Sequence, residues 1–169
     1  LGHTLAGHSR ELEHQRFLDW LVDVVDEEGA DALVVCGDVY DQGNPPATAQ
    51  RQLYAFVAEL RRRRPTTSIV IIGGNHDAAA RLDAPVPVLD ALGVTVLGGV
   101  PRDDDGVLVA GGCVVPLQKG NDVEAVCCAV PFLRAPELSA LVSGEDVDVV
   151  VDGTRTVFDR IAAVARARF

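Results

Sequence analysis

Two short apolar runs, each ending in a cluster of small and polar residues, constrain this chain more than any other feature. Leu33-Val34-Val35-Cys36 leads into Gly37-Asp38-Val39-Tyr40-Asp41, and Ile69-Val70-Ile71-Ile72 leads into Gly73-Gly74-Asn75-His76-Asp77. Between them lie a Gly/Asn/Pro-marked loop over 41–46 and a helical pattern over 48–64, with Leu53, Phe56, Val57 and Leu60 on one face. A strand–helix–strand crossover returns the second strand parallel to the first. In an open α/β sheet, ligands bind outside the carboxyl ends of the strands. The pattern therefore predicts that Asp38 and Asn75 arrive at the same sheet edge.

The flanking sequence fits a layered α/β fold. Residues 11–28 carry Leu12, Phe17, Leu18, Leu21, Val22, Val24 and Val25 at helical spacing, with Ser9 as expected N-cap and Gly29 as stop. The continuous apolar run 32–36 predicts a strand covered on both faces. Residues 79–92 predict a weaker helix interrupted by Pro85 and Pro87. Beyond Gly93 the pattern predicts short strands over 94–97, 107–110, 113–117 and 125–130, with a turn at Asp103-Asp104-Asp105-Gly106. Residues 138–151 fit neither period, and 154–169 predict a final helix built on Val157, Phe158, Ile161, Ala162 and Val164. No repeat or linker divides residues 1–169, so one domain is expected.

Composition narrows the function classes. Hydrophobic residues make up 48% of the 169, which excludes global disorder, and no apolar run is long enough to span a membrane. Fifteen basic against 25 acidic residues give a net charge of −10, which argues against general polyanion binding. A local patch or a basic partner can still supply contacts to DNA. Cys36, Cys113, Cys127 and Cys128 form no C-x-x-C pair and are expected to be buried thiols in a reducing cytoplasm. The chain opens on Leu1 and contains no methionine, so the natural polypeptide is expected to begin upstream.

The two strand-end clusters have the chemistry of a divalent-cation site. The Asp38 carboxylate can bridge two ions, the Asn75 carboxamide can ligate without adding charge, and the His76 imidazole can donate a proton or stabilise charge on a phosphate oxygen. Each tip has a simpler reading alone: a Gly-Asp after a strand is usually a turn, and Asn-His-Asp is often an Asx-turn. Arg61-Arg62-Arg63-Arg64 can touch phosphates. The commoner explanation is a helix C-terminus, where the dipole favours cations, stopped by Pro65.

G-D-x-x-D followed by G-N-H-D resembles the second and third motifs of the calcineurin-like metallophosphoesterases. Text around the motifs is similar to the DNA-nuclease branch of that family. It includes Ser9-Arg10-Glu11, His14-Gln15, Phe17-Leu18-Asp19-Trp20-Leu21, Pro45-Pro46 and Val130-Pro131-Phe132-Leu133-Arg134. The resemblance covers about residues 1–135. It implies a layered β-sandwich flanked by helices, incomplete here at both ends. It implies that Asp38 bridges two metals, manganese or magnesium, and that Asn75 binds one. His76 would be the catalytic acid, Asp77 would orient it, and Asp41 would support the site. It also implies DNA end and hairpin cleavage in repair and recombination, with an ATPase partner. A homodimer would form through helices near 48–64 and 79–92, with Leu53, Phe56, Leu82, Val86 and Leu89 as contacts.

The family's first motif, Asp-x-His, is expected just before Leu1, and its later histidine motifs beyond Phe169. This segment alone is therefore expected to be inactive and to bind at most one ion weakly. His3 and His8 are read as solvated loop histidines rather than ligands. Trp20 and Tyr40 form no expected stacking platform, and no nucleic-acid-binding residue is assigned. Two other readings stand: a metallophosphoesterase acting on small phosphate esters, and a non-catalytic dimerisation or docking module.

Overall fold

A computed structural model describes residues 1–144 and 147–169. The region 138–151, ambiguous by sequence, includes positions 145 and 146, which lie outside the described residues.

The chain opens with a small antiparallel pair, β1 (Thr4–Leu5) and β2 (His8–Ser9), followed by helix α1 (Glu11–Glu27). Arg10, not Ser9, is the N-cap of α1; the Ser9 hydroxyl instead accepts the Glu11 N–H at 3.2 Å from one position further out. Gly29 ends the helix as expected. At φ 62° its N–H reaches Asp26 O, and the Ala30 N–H reaches Val25 O, the paired bonds of a Schellman motif. Leu18, Val22 and Val25 face the core, whereas Leu12 and Phe17, expected on the same stripe, stand exposed at 61% and 53%.

Strand β3 (Ala32–Cys36), helix α2 (Ala47–Arg63) and strand β4 (Ser68–Ile72) form the crossover read from the sequence. β3 and β4 pair in parallel from Ala32↔Ser68 to Cys36↔Ile72, and β5 (Val94–Leu97) pairs in parallel on the far side of β4. Between β4 and β5, helix α3 (Ala79–Asp83) and helix α4 (Val86–Ala91) replace the single interrupted helix. Only Pro85 breaks the run. Pro87 sits in the first turn of α4, where a missing N–H costs nothing.

After β5 comes a 3-10 turn (Ala110–Cys113), then the hairpin of β6 (Val114–Lys119) and β7 (Asp122–Cys128). No strand forms over 107–110. The Asp103 carboxylate accepts the N–H groups of Asp105 and Val107, which closes the expected turn, and only Arg102 and Leu108 make an isolated bridge. Helix α5 (Ala135–Ser139) and helix α6 (Val149–Arg168) complete the chain. α6 starts earlier than expected because the Asp148 side chain caps it, accepting from the N–H groups of Val150 and Val151. That cap overrides the strand preference of three consecutive valines.

These elements stack in layers. One core lies between α1, α2, α3, α4 and the parallel sheet, and includes Val57, Leu60, Ile69 and Ile71. A second core joins the hairpin to α5 and α6 through Cys113, Leu138, Val157 and Ile161. The hairpin abuts the sheet where Gln118 N–H donates to Ser68 Oγ and Lys119 pairs with Asp31. This is the layered α/β arrangement expected. Coverage of β3 on both faces is not found: β3 is the edge strand, and Val34 and Cys36 remain exposed there. The four cysteines are free, but only Cys113 is buried, where burial pushes its thiol up to about 11.

Two further expectations meet the fold. Leu53, Phe56, Leu82 and Leu89 are 4%, 4%, 2% and 4% exposed within the chain's own core. They cannot also be contact residues of a dimer without opening that core. The arginine run resolves as a helix C-terminus. Arg61 donates to the carbonyls of Pro65, Thr67 and Gly93, Arg62 pairs with Glu59, and Arg63 pairs with Asp23 and Asp26 of α1. Among the described residues, no helix is long and apolar enough to cross a membrane.

Candidate metal and phosphate site

The two loops leaving β3 and β4 touch. Gly37 has φ 86°, and a β-carbon there would stand 3.0 Å from Gly74 Cα, so a larger residue would wedge the loops apart. Asp38 follows with φ 48°, a left-handed conformation that Asp tolerates better than most residues. Such strain persists only where surrounding structure enforces it. Here the His76 N–H enforces it by donating to Asp38 Oδ1 at 3.1 Å.

Asp38 and Asn75 line one open cleft of about 270 Å³ with Gly37, Gly74, Pro131 and Phe132. Both side chains are exposed. The crossover has therefore delivered them to a shared edge, as the sequence pattern required. Among the described residues, neither Asp38 Oδ2 nor the Asn75 carboxamide has a hydrogen-bond partner, which leaves two oxygen donors free.

His76 is exposed beside them. Its Nδ1 lies 2.8 Å from the Asp41 carbonyl oxygen, which can only accept, so the ring proton is placed on Nδ1 and Nε2 is left for exchange. The imidazole pKa is raised, first by that hydrogen bond and then by the Asp38 charge. Both favour the protonated, acid form.

Asp77 is placed differently from expectation. It is 1% exposed and makes no hydrogen bond to the His76 ring; the Asp41 carbonyl has that role. Its carboxylate accepts the backbone N–H groups of Val39 at 3.1 Å, Tyr40 at 2.9 Å and Gly74 at 2.8 Å. Asp77 thus fastens the loops to each other and sets His76 only through the backbone. The Asp41 carboxylate faces His3, 2.8 Å from its Nδ1. His8 belongs to the β2 strand, and Trp20 stacks on Phe17 along α1, so neither reaches the cleft. Tyr40 is buried, and burial raises its phenol pKa.

A third segment closes the cleft. The Phe132 N–H donates to Gly73 O at 2.8 Å, and Arg134 donates to Asp77 O at 2.9 Å. The sequence reading gave these residues no role; the signal that could have found them was an aromatic and a cation just after a strand end.

The donor set fits a hard divalent cation in part. A carboxylate and a carboxamide suit magnesium or manganese, but such ions take about six ligands. Among the described residues, no group of three or more His, Cys, Asp or Glu side chains is placed to hold a metal. Asp38 and Asn75 would supply two ligands, and the remainder would come from water, phosphate or other protein groups.

Two touching glycine loops that present a carboxylate, a carboxamide and an imidazole at the carboxyl edge of a parallel sheet define a metallophosphoesterase-type centre. Residues 8–151 match the family described as calcineurin-like phosphoesterase, and the chain belongs to that family. It is 42% identical over 146 residues to SbcD of the SbcCD nuclease from Rhodobacter capsulatus, covering 86% of this chain and 36% of the relative. It is 33% identical over 138 residues to the Escherichia coli K12 protein of the same name, covering 82% of this chain and 32% of that protein. The Bacillus subtilis counterpart is 42% identical over 100 residues, covering 58% of this chain and 25% of that protein. The chain thus spans between a quarter and about a third of the length of these curated relatives.

Proposed function

We propose that the intact protein is a DNA nuclease that hydrolyses phosphodiester bonds with two divalent metal ions. The observation that carries this reading is the convergence of Asp38, Asn75 and His76 on one cleft. Bound metal would supply Lewis-acid polarisation of the phosphate and an activated hydroxide. Asp38 and Asn75 hold metal at the cleft edge. His76, protonated and oriented by the Asp41 carbonyl, gives its proton to the leaving oxygen or its charge to a phosphate oxygen. Asp77 keeps the two loops in contact.

The likeness to SbcD supports manganese as the metal, DNA ends and hairpins as substrate, an SbcC-like ATPase as partner and the cytoplasm as setting. A homodimer through α2 and the α3–α4 pair would use their outward residues, such as Val88 at 67% exposure.

The test uses full-length protein. Replacing His76 with alanine should abolish manganese-dependent cleavage of a labelled duplex and leave metal binding largely intact. Near-normal turnover by that variant would remove His76 from its role. Hydrolysis of a chromogenic phosphodiester without DNA cleavage would favour a small-ester substrate.

A further inference from the structure

We propose that Phe132 is a stacking surface for an unpaired nucleobase beside the phosphate held at Asp38 and Asn75. This rests on the nuclease reading and adds a feature of the substrate to it. Phe132 is the aromatic residue lining the cleft, and it is 47% exposed there. Leaving half a phenylalanine in water forfeits hydrophobic stabilisation that burial would give. Other exposed aromatics lie elsewhere: Phe17 against Trp20 on α1, and Phe158 on α6.

The ring is also held in place. Its backbone N–H is tied to Gly73 O at 2.8 Å, one residue from the loop that carries Asn75. The Arg134 guanidinium lies 5.7 Å from the ring centroid and is itself anchored to Asp77 O. A cation at the ring and an aromatic surface open to a cleft are the two elements that bind single strands without regard to sequence. A small phosphate ester has no base to occupy that surface. A nucleotide whose phosphate sits at Asp38 does, provided the base is out of the duplex stack.

The experiment uses full-length protein and a hairpin oligonucleotide with 2-aminopurine next to the expected cut, in chelator so that binding is read without turnover. Wild type should quench the 2-aminopurine fluorescence. Phe132→Leu keeps the apolar bulk but lacks a π face. It should bind about 5- to 100-fold more weakly and leave the fluorescence unquenched, and Phe132→Tyr should restore both. A matched oligonucleotide with an abasic site at that position should bind wild type as weakly as it binds Phe132→Leu. If Phe132→Leu weakens base-containing and abasic strands equally, the stacking proposal falls while the nuclease reading stands. If wild type with manganese cleaves a chromogenic diester but no oligonucleotide, both fall.

Discussion

The Asp77 carboxylate accepts the backbone N–H of Tyr40 at 2.9 Å, joining two loops 37 residues apart in sequence. The same carboxylate takes the N–H groups of Val39 and Gly74, and it is 1% exposed. Removing it leaves three backbone donors without their acceptor, and each buried orphan costs about 1–3 kcal/mol. Relaxation and water entry reduce the sum. Asp77→Ala is therefore expected to lose about 3 kcal/mol of stability. Asp77→Asn should also destabilise, because its amide must turn N–H groups toward N–H groups. Urea unfolding with an unchanged slope measures both. A loss below about 0.5 kcal/mol for the alanine variant would show that the loops hold together without this clamp.

Gly74 and Asp38 occupy nearly the same space. A β-carbon on Gly74 would overlap Asp38 Oδ1 and the Asp38 backbone N, and would stand 2.9 Å from Asp38 Cγ. Gly74→Ala should therefore displace the Asp38 carboxylate while leaving both cores intact. Disturbing a ligand's support typically costs 10–100-fold in metal affinity, and a similar loss is expected when manganese binding is followed by calorimetry on full-length protein. An unchanged isotherm would remove Asp38 from the ligand set.

Elements whose reasons are local were legible from the sequence. β4 was read to the residue, since five consecutive residues of strand-forming type are bounded by loops. The edge shared by Asp38 and Asn75 followed from crossover geometry alone. What escaped depends on contacts distant in sequence. The open face of β3 could not be read, because Val34 and Val70 look alike in a run yet only Val70 is buried. Asp77 next to His76 suggested a side-chain pair, but its carboxylate turned to three backbone donors instead. The start of α6 was hidden because Asp148 outweighs the valines it caps. Phe132 and Arg134 gain their position from hydrogen bonds to the Gly73 and Asp77 carbonyls, which no local pattern encodes.

The contact of α5 with α6 depends on Gly153. A β-carbon there would stand 2.7 Å from Leu138 Cβ and 3.3 Å from its Cα. Alanine in a helix interior gains roughly 0.5–1 kcal/mol over glycine. Overpacking a tight core costs about 1–3 kcal/mol. Packing should win, because Leu138 is itself 1% exposed and the obstructing atoms lie at and next to its backbone. Gly153→Ala is expected to lower the unfolding midpoint. A raised midpoint would show that α6 can shift away from α5 at little cost.

Asp83 links α3 to the end of β5, its Oδ1 accepting the Gly98 N–H at 2.6 Å. Burial raises its pKa above the ordinary 3.8, and the hydrogen bond from Gly98 offsets only part of that rise. The folded state thus binds the proton more tightly than the unfolded chain does. Stability then falls as pH rises from the unfolded value through the raised folded value. Asparagine keeps an acceptor for Gly98 and does not ionise. Asp83→Asn should accordingly be more stable than the parent at pH 7, with the advantage shrinking toward pH 4 as the parent carboxyl takes up its proton. Urea midpoints of both proteins across that range test this. An advantage that stays level from pH 4 to 7 would mean that Asp83 ionises as readily in the fold as in the unfolded chain, and that burial does not govern it.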